Sequence, residues 1–87
     1  MRSVAFTDGF QKQAHKLCQK SPSLKKKLAK QFELFSLGIY SPSLKLHKLK
    51  GKRSTHYAIW IESNLRAVAV KDRDTYIFFE LATHDQY

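Results

Sequence analysis

The stretch Tyr57–Ala82, YAIWIESNLRAVAVKDRDTYIFFELA, decides the fold class of this 87-residue chain. Tyr57, Ile59 and Ile61 alternate with Ala58, Trp60 and Glu62, the period of a strand with two contrasting faces. Ser63-Asn64 follows as a tight turn, asparagine tolerating positive φ. Leu65–Val70 is the next strand, Asp72-Arg73-Asp74 the next turn, and Thr75–Ala82 a third strand. Strands joined by turns this short form an antiparallel meander. One face of such a meander needs a cover.

The cover lies upstream. Arg2–Phe6 reads as a short strand, with Val4 and Phe6 alternating against polar neighbours. Thr7 is placed to cap a helix and Asp8 suits its positive dipole end. Phe10, Ala14, Leu17 and Cys18 then make one apolar stripe. Ser21-Pro22 starts a second helix, on which Leu24, Leu28, Phe32 and Phe35 recur at helical spacing and which Gly38 ends in a left-handed C-cap. The link around Ser21–Ser23 is short enough to make the helices an antiparallel pair. The expected architecture is therefore α+β, in the order β-α-α-β-β-β, with an antiparallel sheet packed against an α-helical hairpin. The place of the first strand in that sheet is left open. The two SPSL tetrads, Ser21–Leu24 and Ser41–Leu44, read as repeated turn chemistry, since a repeat array needs several copies.

Length and composition narrow the function. A chain of 87 residues makes one domain, 1–87, and buries only about two-thirds of its extended surface, so a deep two-lobed cleft is not expected. Its 43% hydrophobic content is enough to support a core. A lone cysteine, Cys18, excludes an internal disulfide, suits a reducing cytoplasm, and on its apolar stripe reads as structural. No apolar run approaches the roughly 20 residues of a membrane span, and no signal-peptide core is present at the start. The formal charge is +9, unevenly spread: residues 1–56 hold 13 Lys/Arg and 2 acids, residues 57–87 hold 3 and 5. A segregated field of this kind suits a polyanion, with nucleic acid leading and an anionic membrane surface or an acidic protein close behind.

The most basic segment is Leu44–Arg53, LKLHKLKGKR, between the helical and strand halves. Leu44, Leu46 and Leu49 can anchor it while His47, Lys48, Lys50, Lys52 and Arg53 face outward. The histidines at 15, 47, 56 and 84 show no metal-ligand spacing, and neither a Walker loop nor GxGxxG is present, so no metal and no nucleotide cofactor is expected. His15 lies beside the apolar stripe as a boundary side chain, whereas His47 and His84 sit in polar, non-helical surroundings. Arg66 interrupts an apolar strand and must either meet an anion or pair with Glu62 or Glu80 across the sheet. Tyr87, the last residue, reads by itself as an idle terminus. Were the ligand RNA, these residues would form a set. Cleavage needs a base for the 2′-hydroxyl proton, an acid for the departing 5′-oxygen and a cation for the phosphorane charge. Histidines can fill the first two roles, an arginine the third, and lysines can hold the backbone.

The text of the chain resembles the RelE/ParE superfamily of toxin–antitoxin toxins across essentially its whole length. The matching words are Thr7-Asp8-Gly9-Phe10, Leu46-His47-Lys48-Leu49-Lys50-Gly51, Tyr57–Ile61, Leu65–Val70 and Thr83-His84-Asp85-Gln86-Tyr87. The branch it looks most like is the YafQ-like one. The resemblance implies a metal-independent, ribosome-dependent mRNA endonuclease that blocks translation and growth, contacting 16S rRNA and neutralised by a cognate antitoxin. It implies His47 and His84 as the proton-transfer pair, Arg66 on the phosphate, Tyr87 as the terminal aromatic, and Lys48, Lys50, Lys52 and Arg53 gripping RNA. Trp60 and Asn64 stand where that branch has another histidine and an aspartate, Leu65 replaces an aromatic, and His56 is a substitute at the start of its strand. Two other readings stand beside it, a ParE-like gyrase inhibitor without RNase chemistry and a catalytically inactive basic RNA-binding module.

Overall fold

A computed structural model describes residues 2–38, 41–49 and 55–83. Strand β1 (Ser3–Phe6) leads into α1 (Asp8–Lys20), where the Thr7 hydroxyl accepts the Phe10 amide at 3.1 Å. Asp8 and Lys20 occupy the ends of α1 that their charges favour. Helix α2 (Pro22–Ser36) starts on Pro22, and the Ser21 side chain makes no cap bond to it. Its end is as expected: Gly38 takes φ 74° and donates to the Phe35 carbonyl at 3.1 Å. A single 3₁₀ turn (Pro42–Leu44) precedes β2 (His47–Lys48), β3 (His56–Glu62), β4 (Leu65–Asp72) and β5 (Thr75–Thr83).

The α+β architecture of a helical hairpin on a sheet is the one expected, and two pairings complete it. The sheet has five strands in the order β1-β5-β4-β3-β2, with β1 and β2 at its edges. Strands β2 to β5 pair antiparallel, whereas β1 runs parallel to β5, from Ser3↔Thr75 to Phe6↔Phe78. A parallel pair needs a long crossover, which the helical hairpin and the meander between β1 and β5 provide. In the hairpin turns the left-handed residues are Ser63 (φ 47°) and Arg73 (φ 56°) rather than Asn64.

The hairpin covers one sheet face. Phe10, Leu24, Leu28 and Phe35 from the helices meet Ile59, Ile61, Ala67, Ala69, Phe78 and Leu81 from the strands. Aromatic rings dominate this layer, Phe32 meeting Phe78 edge-on at 4.8 Å and Phe35 meeting Tyr76 at 4.9 Å. A register shift opposite Val68 and Ala69 leaves Phe79 as an extra residue, so Val68 pairs with Glu80 and Ala69 with Phe78. Strict alternation would send Glu80 into the core beside Phe78. The bulge turns Glu80 out and Leu81 in.

Two glutamines tie the layers together. Gln13 of α1 donates to the Leu81 carbonyl at 2.7 Å and accepts the Leu81 amide at 2.8 Å, as a neighbouring strand would. It does so on β5 beyond Phe78, where the pairing with β1 ends. Gln31, 4% exposed, donates from α2 to the carbonyls of Trp60 (2.9 Å) and Ser43 (3.3 Å). Gln13→Leu leaves both Leu81 backbone groups unmatched and is expected to cost about 1–3 kcal/mol, read as a lower urea midpoint at unchanged slope.

Candidate nucleic-acid interface

The sheet face away from the helices carries the candidate site. Cross-strand partners share a face, so His47, Ala58, Val68 and Glu80 form one row across it and Trp60, Arg66 and Ala82 the next. Ala58, Val68 and Ala82 are buried there together with Leu49, and Phe79 packs against them. These residues form a second, smaller core on this face. Strands lie about 4.8 Å apart and rise about 3.3 Å per residue, which sets His47 and Arg66 roughly 12 Å apart at Cα. Two side chains extended across that gap can reach one phosphodiester from opposite sides.

Backbone geometry prepares His47. Lys45 adopts a left-handed conformation (φ 47°, ψ 39°) after the 3₁₀ turn, and its carbonyl lies 2.7 Å from His47 Nδ1. A carbonyl only accepts, so Nδ1 carries the proton and the neutral ring presents Nε2 as a base. His47 itself is exposed on the edge strand.

Arg66 is half-buried in β4. Its Nη1 donates to the carbonyls of Ser63 at 3.3 Å and Leu65 at 3.4 Å, both long bonds. Among the described residues it meets no carboxylate, so of the two possibilities open to it, pairing with Glu62 or Glu80 is not the one adopted. The Ser63 carbonyl also takes Trp60 Nε1 at 2.7 Å, which brings the indole and the guanidinium to one point at the β3–β4 turn. Lys45 Nζ lies 5.4 Å from the Trp60 ring centre.

The remaining candidates are distributed differently. Lys48 is exposed but pairs with Tyr57, in the row of Ala69 and Phe78, and so sits on the opposite face from His47. His56 is on the site face, half-buried, with its ring 5.0 Å from Phe79. Lys50, Lys52, Arg53, His84 and Tyr87 lie outside the described residues. His15 is exposed, and Cys18 is partly buried against the helix-side core. No group of three or more His, Cys, Asp or Glu among the described residues is placed to hold a metal ion, and no described helix is long and apolar enough to cross a membrane. Sequence reasoning passed over Lys26, Lys27 and Lys30 of α2, which line a cavity with Trp60. Their signal was the run Lys25-Lys26-Lys27.

No family model and no curated protein sequence matches the chain. Solved structures do. The metal-bound toxin from Helicobacter pylori aligns over 99% of this chain and 98% of its own, at TM-score 0.77 and 21% identity. YafQ from E. coli aligns over 99% and 97% at TM-score 0.76 and 18% identity, and in the DinJ–YafQ toxin–antitoxin complex over 98% and 94% at 0.74 and 20%. A YoeB/ParE toxin from Agrobacterium tumefaciens aligns over 94% and 98% at 0.72 and 12%. The chain has the RelE/ParE-like toxin fold. Within that class its structural neighbours include YafQ, the branch its sequence resembles.

Proposed function

We propose that this chain is the toxin of a toxin–antitoxin system and acts in the cytoplasm as an endoribonuclease on ribosome-bound mRNA. The observation that supports it best is the pairing, on one sheet face, of a guanidinium that meets no carboxylate among the described residues with a histidine whose tautomer is set by the Lys45 carbonyl. In this reading one histidine takes the 2′-hydroxyl proton, O2′ attacks phosphorus, and the P–O5′ bond breaks. A second histidine protonates the departing 5′-oxygen, which leaves a 2′,3′-cyclic phosphate and a 5′-hydroxyl. Arg66 holds the charge that accumulates on the phosphorane oxygens. His47 and His84 are the proton-transfer pair, Tyr87 assists by stacking or proton transfer, and Lys48, Lys50, Lys52 and Arg53 hold mRNA or 16S rRNA.

An antitoxin completes the reading, supported by the DinJ–YafQ complex. Phe6, 40% exposed, lies in an apolar groove of α1 and α2 with Phe10, Ala14, Leu28 and Phe32, a surface suited to a protein partner. The test is to induce the chain in cells and map mRNA 5′ ends. Codon-phased cuts that disappear with His84→Ala and with His47→Ala are the expected result. Growth arrest with gyrase-dependent DNA damage and no new RNA ends would replace this reading with gyrase inhibition, and neither effect would leave an inactive binding module.

A further inference from the structure

A second cationic feature stands at the other end of Trp60. Lys26, Lys27 and Lys30 of α2 line a cavity of about 220 Å³ whose other walls include Gln31, Ser43 and Trp60. All three lysines are exposed, and none has an ion-pair partner among the described residues. Gln31 fixes the cavity floor, since its amide bonds hold α2 to the carbonyls of Ser43 and Trp60. Trp60 thus joins two places: its backbone is tied to the cavity, and its indole shares the Ser63 carbonyl with Arg66. Lys45 lies over the same indole, and its carbonyl holds His47.

We infer that the α2 cavity is a phosphate-binding site for single-stranded RNA, continuing the strand from the His47–Arg66 face past Trp60 onto α2. Three lysines that line one concavity and have no ion-pair partner among the described residues would bind successive backbone phosphates, and an aromatic ring between cations fits a strand that alternates bases with phosphates. An acidic protein would also meet the lysines. RNA is favoured because the cavity is linked through Trp60 to the residues whose chemistry requires a 2′-hydroxyl. The inference rests on the RNA reading of that face, and it names three binding residues which that reading did not contain.

Fluorescence anisotropy with a 5′-labelled ten-nucleotide oligouridylate tests it. K26Q/K27Q/K30Q is expected to weaken binding about ten-fold or more at low salt, and to flatten the log–log salt dependence by roughly 2, as loss of three single-strand phosphate contacts requires. K12Q/K16Q/K20Q removes the same charge from exposed positions of α1 and is expected to weaken binding far less. All six lysines are exposed, so thermal melts of both variants should stay close to the parent chain, the α1 variant giving up only the favourable place of Lys20 at the helix end. Equal losses in the two variants would reduce the effect to net charge and overturn the site. Unchanged binding by the α2 variant would overturn it too and leave those lysines to an acidic protein. Mapping of mRNA ends reads the nuclease proposal separately: unchanged binding alongside codon-phased cuts removes only the α2 site, and lost binding without cuts removes only the nuclease.

Discussion

On the proposed endonuclease reading, Arg66→Ala is expected to lower RNA cleavage about a hundred- to a thousand-fold, the usual cost of removing one donor from a developing oxyanion. Its effect on stability should be small. The two bonds it gives up are long, at 3.3 and 3.4 Å, and the Ser63 carbonyl keeps Trp60 Nε1 at 2.7 Å. A loss well under the roughly 1 kcal/mol of an ordinary hydrogen bond follows, visible as a nearly unchanged urea midpoint. Arg66→Lys keeps the charge and loses the fork, so it should recover only part of the rate. Single-turnover cleavage of a programmed ribosome complex, with the folded fraction checked by circular dichroism, separates these outcomes. A folded Arg66→Ala protein cutting at the parental rate would remove Arg66 from the site.

Phe35→Ala is expected to be the most damaging single change to the fold. The ring is fully buried, meets Tyr76 at 4.9 Å and Phe78 at 5.5 Å, and lies 4.6 Å below the Arg2 guanidinium carbon. Arg2 also donates to the Phe35 carbonyl at 2.9 Å, so this one residue joins α2 to β5 and to the segment entering β1. Truncation of a buried phenylalanine costs about 3–5 kcal/mol. A domain of this size has about 5–15 kcal/mol in total. Urea denaturation should show a collapse of the midpoint, with Phe35→Leu intermediate because it refills most of the volume. A Phe35→Ala loss under about 1 kcal/mol would show that the aromatic layer is not what holds the hairpin to the sheet.

The elements that local chemistry specifies were legible in the sequence. The Thr7 cap, the second helix starting at Pro22, the left-handed Gly38 and the alternation from Tyr57 onward each depend on residues within a turn or two of one another. The bulge at Phe79 was not legible, because Tyr76-Ile77-Phe78-Phe79 is apolar at every position and alternation has no preferred phase there. Strand β2 was missed for a related reason. Two residues have no period, and only pairing with Ala58 and Tyr57 makes them a strand. Once they are one, adjacent His47 and Lys48 must point to opposite faces, which separates two residues that the basic stretch had grouped.

The sequence alone determined the order of the two helices and of strands β1, β3, β4 and β5, the helix-covered core and the presence of a strong cationic bias, because each follows from composition or from contacts close along the chain. Tertiary structure decided the parallel edge strand, the face shared by His47, Trp60 and Arg66, and the cavity that brings Lys26, Lys27 and Lys30 of α2 to Trp60 of β3. Those depend on pairings between residues far apart in the chain. Side-chain period tells which positions share a face of one element, and only register between elements tells which of those faces meet.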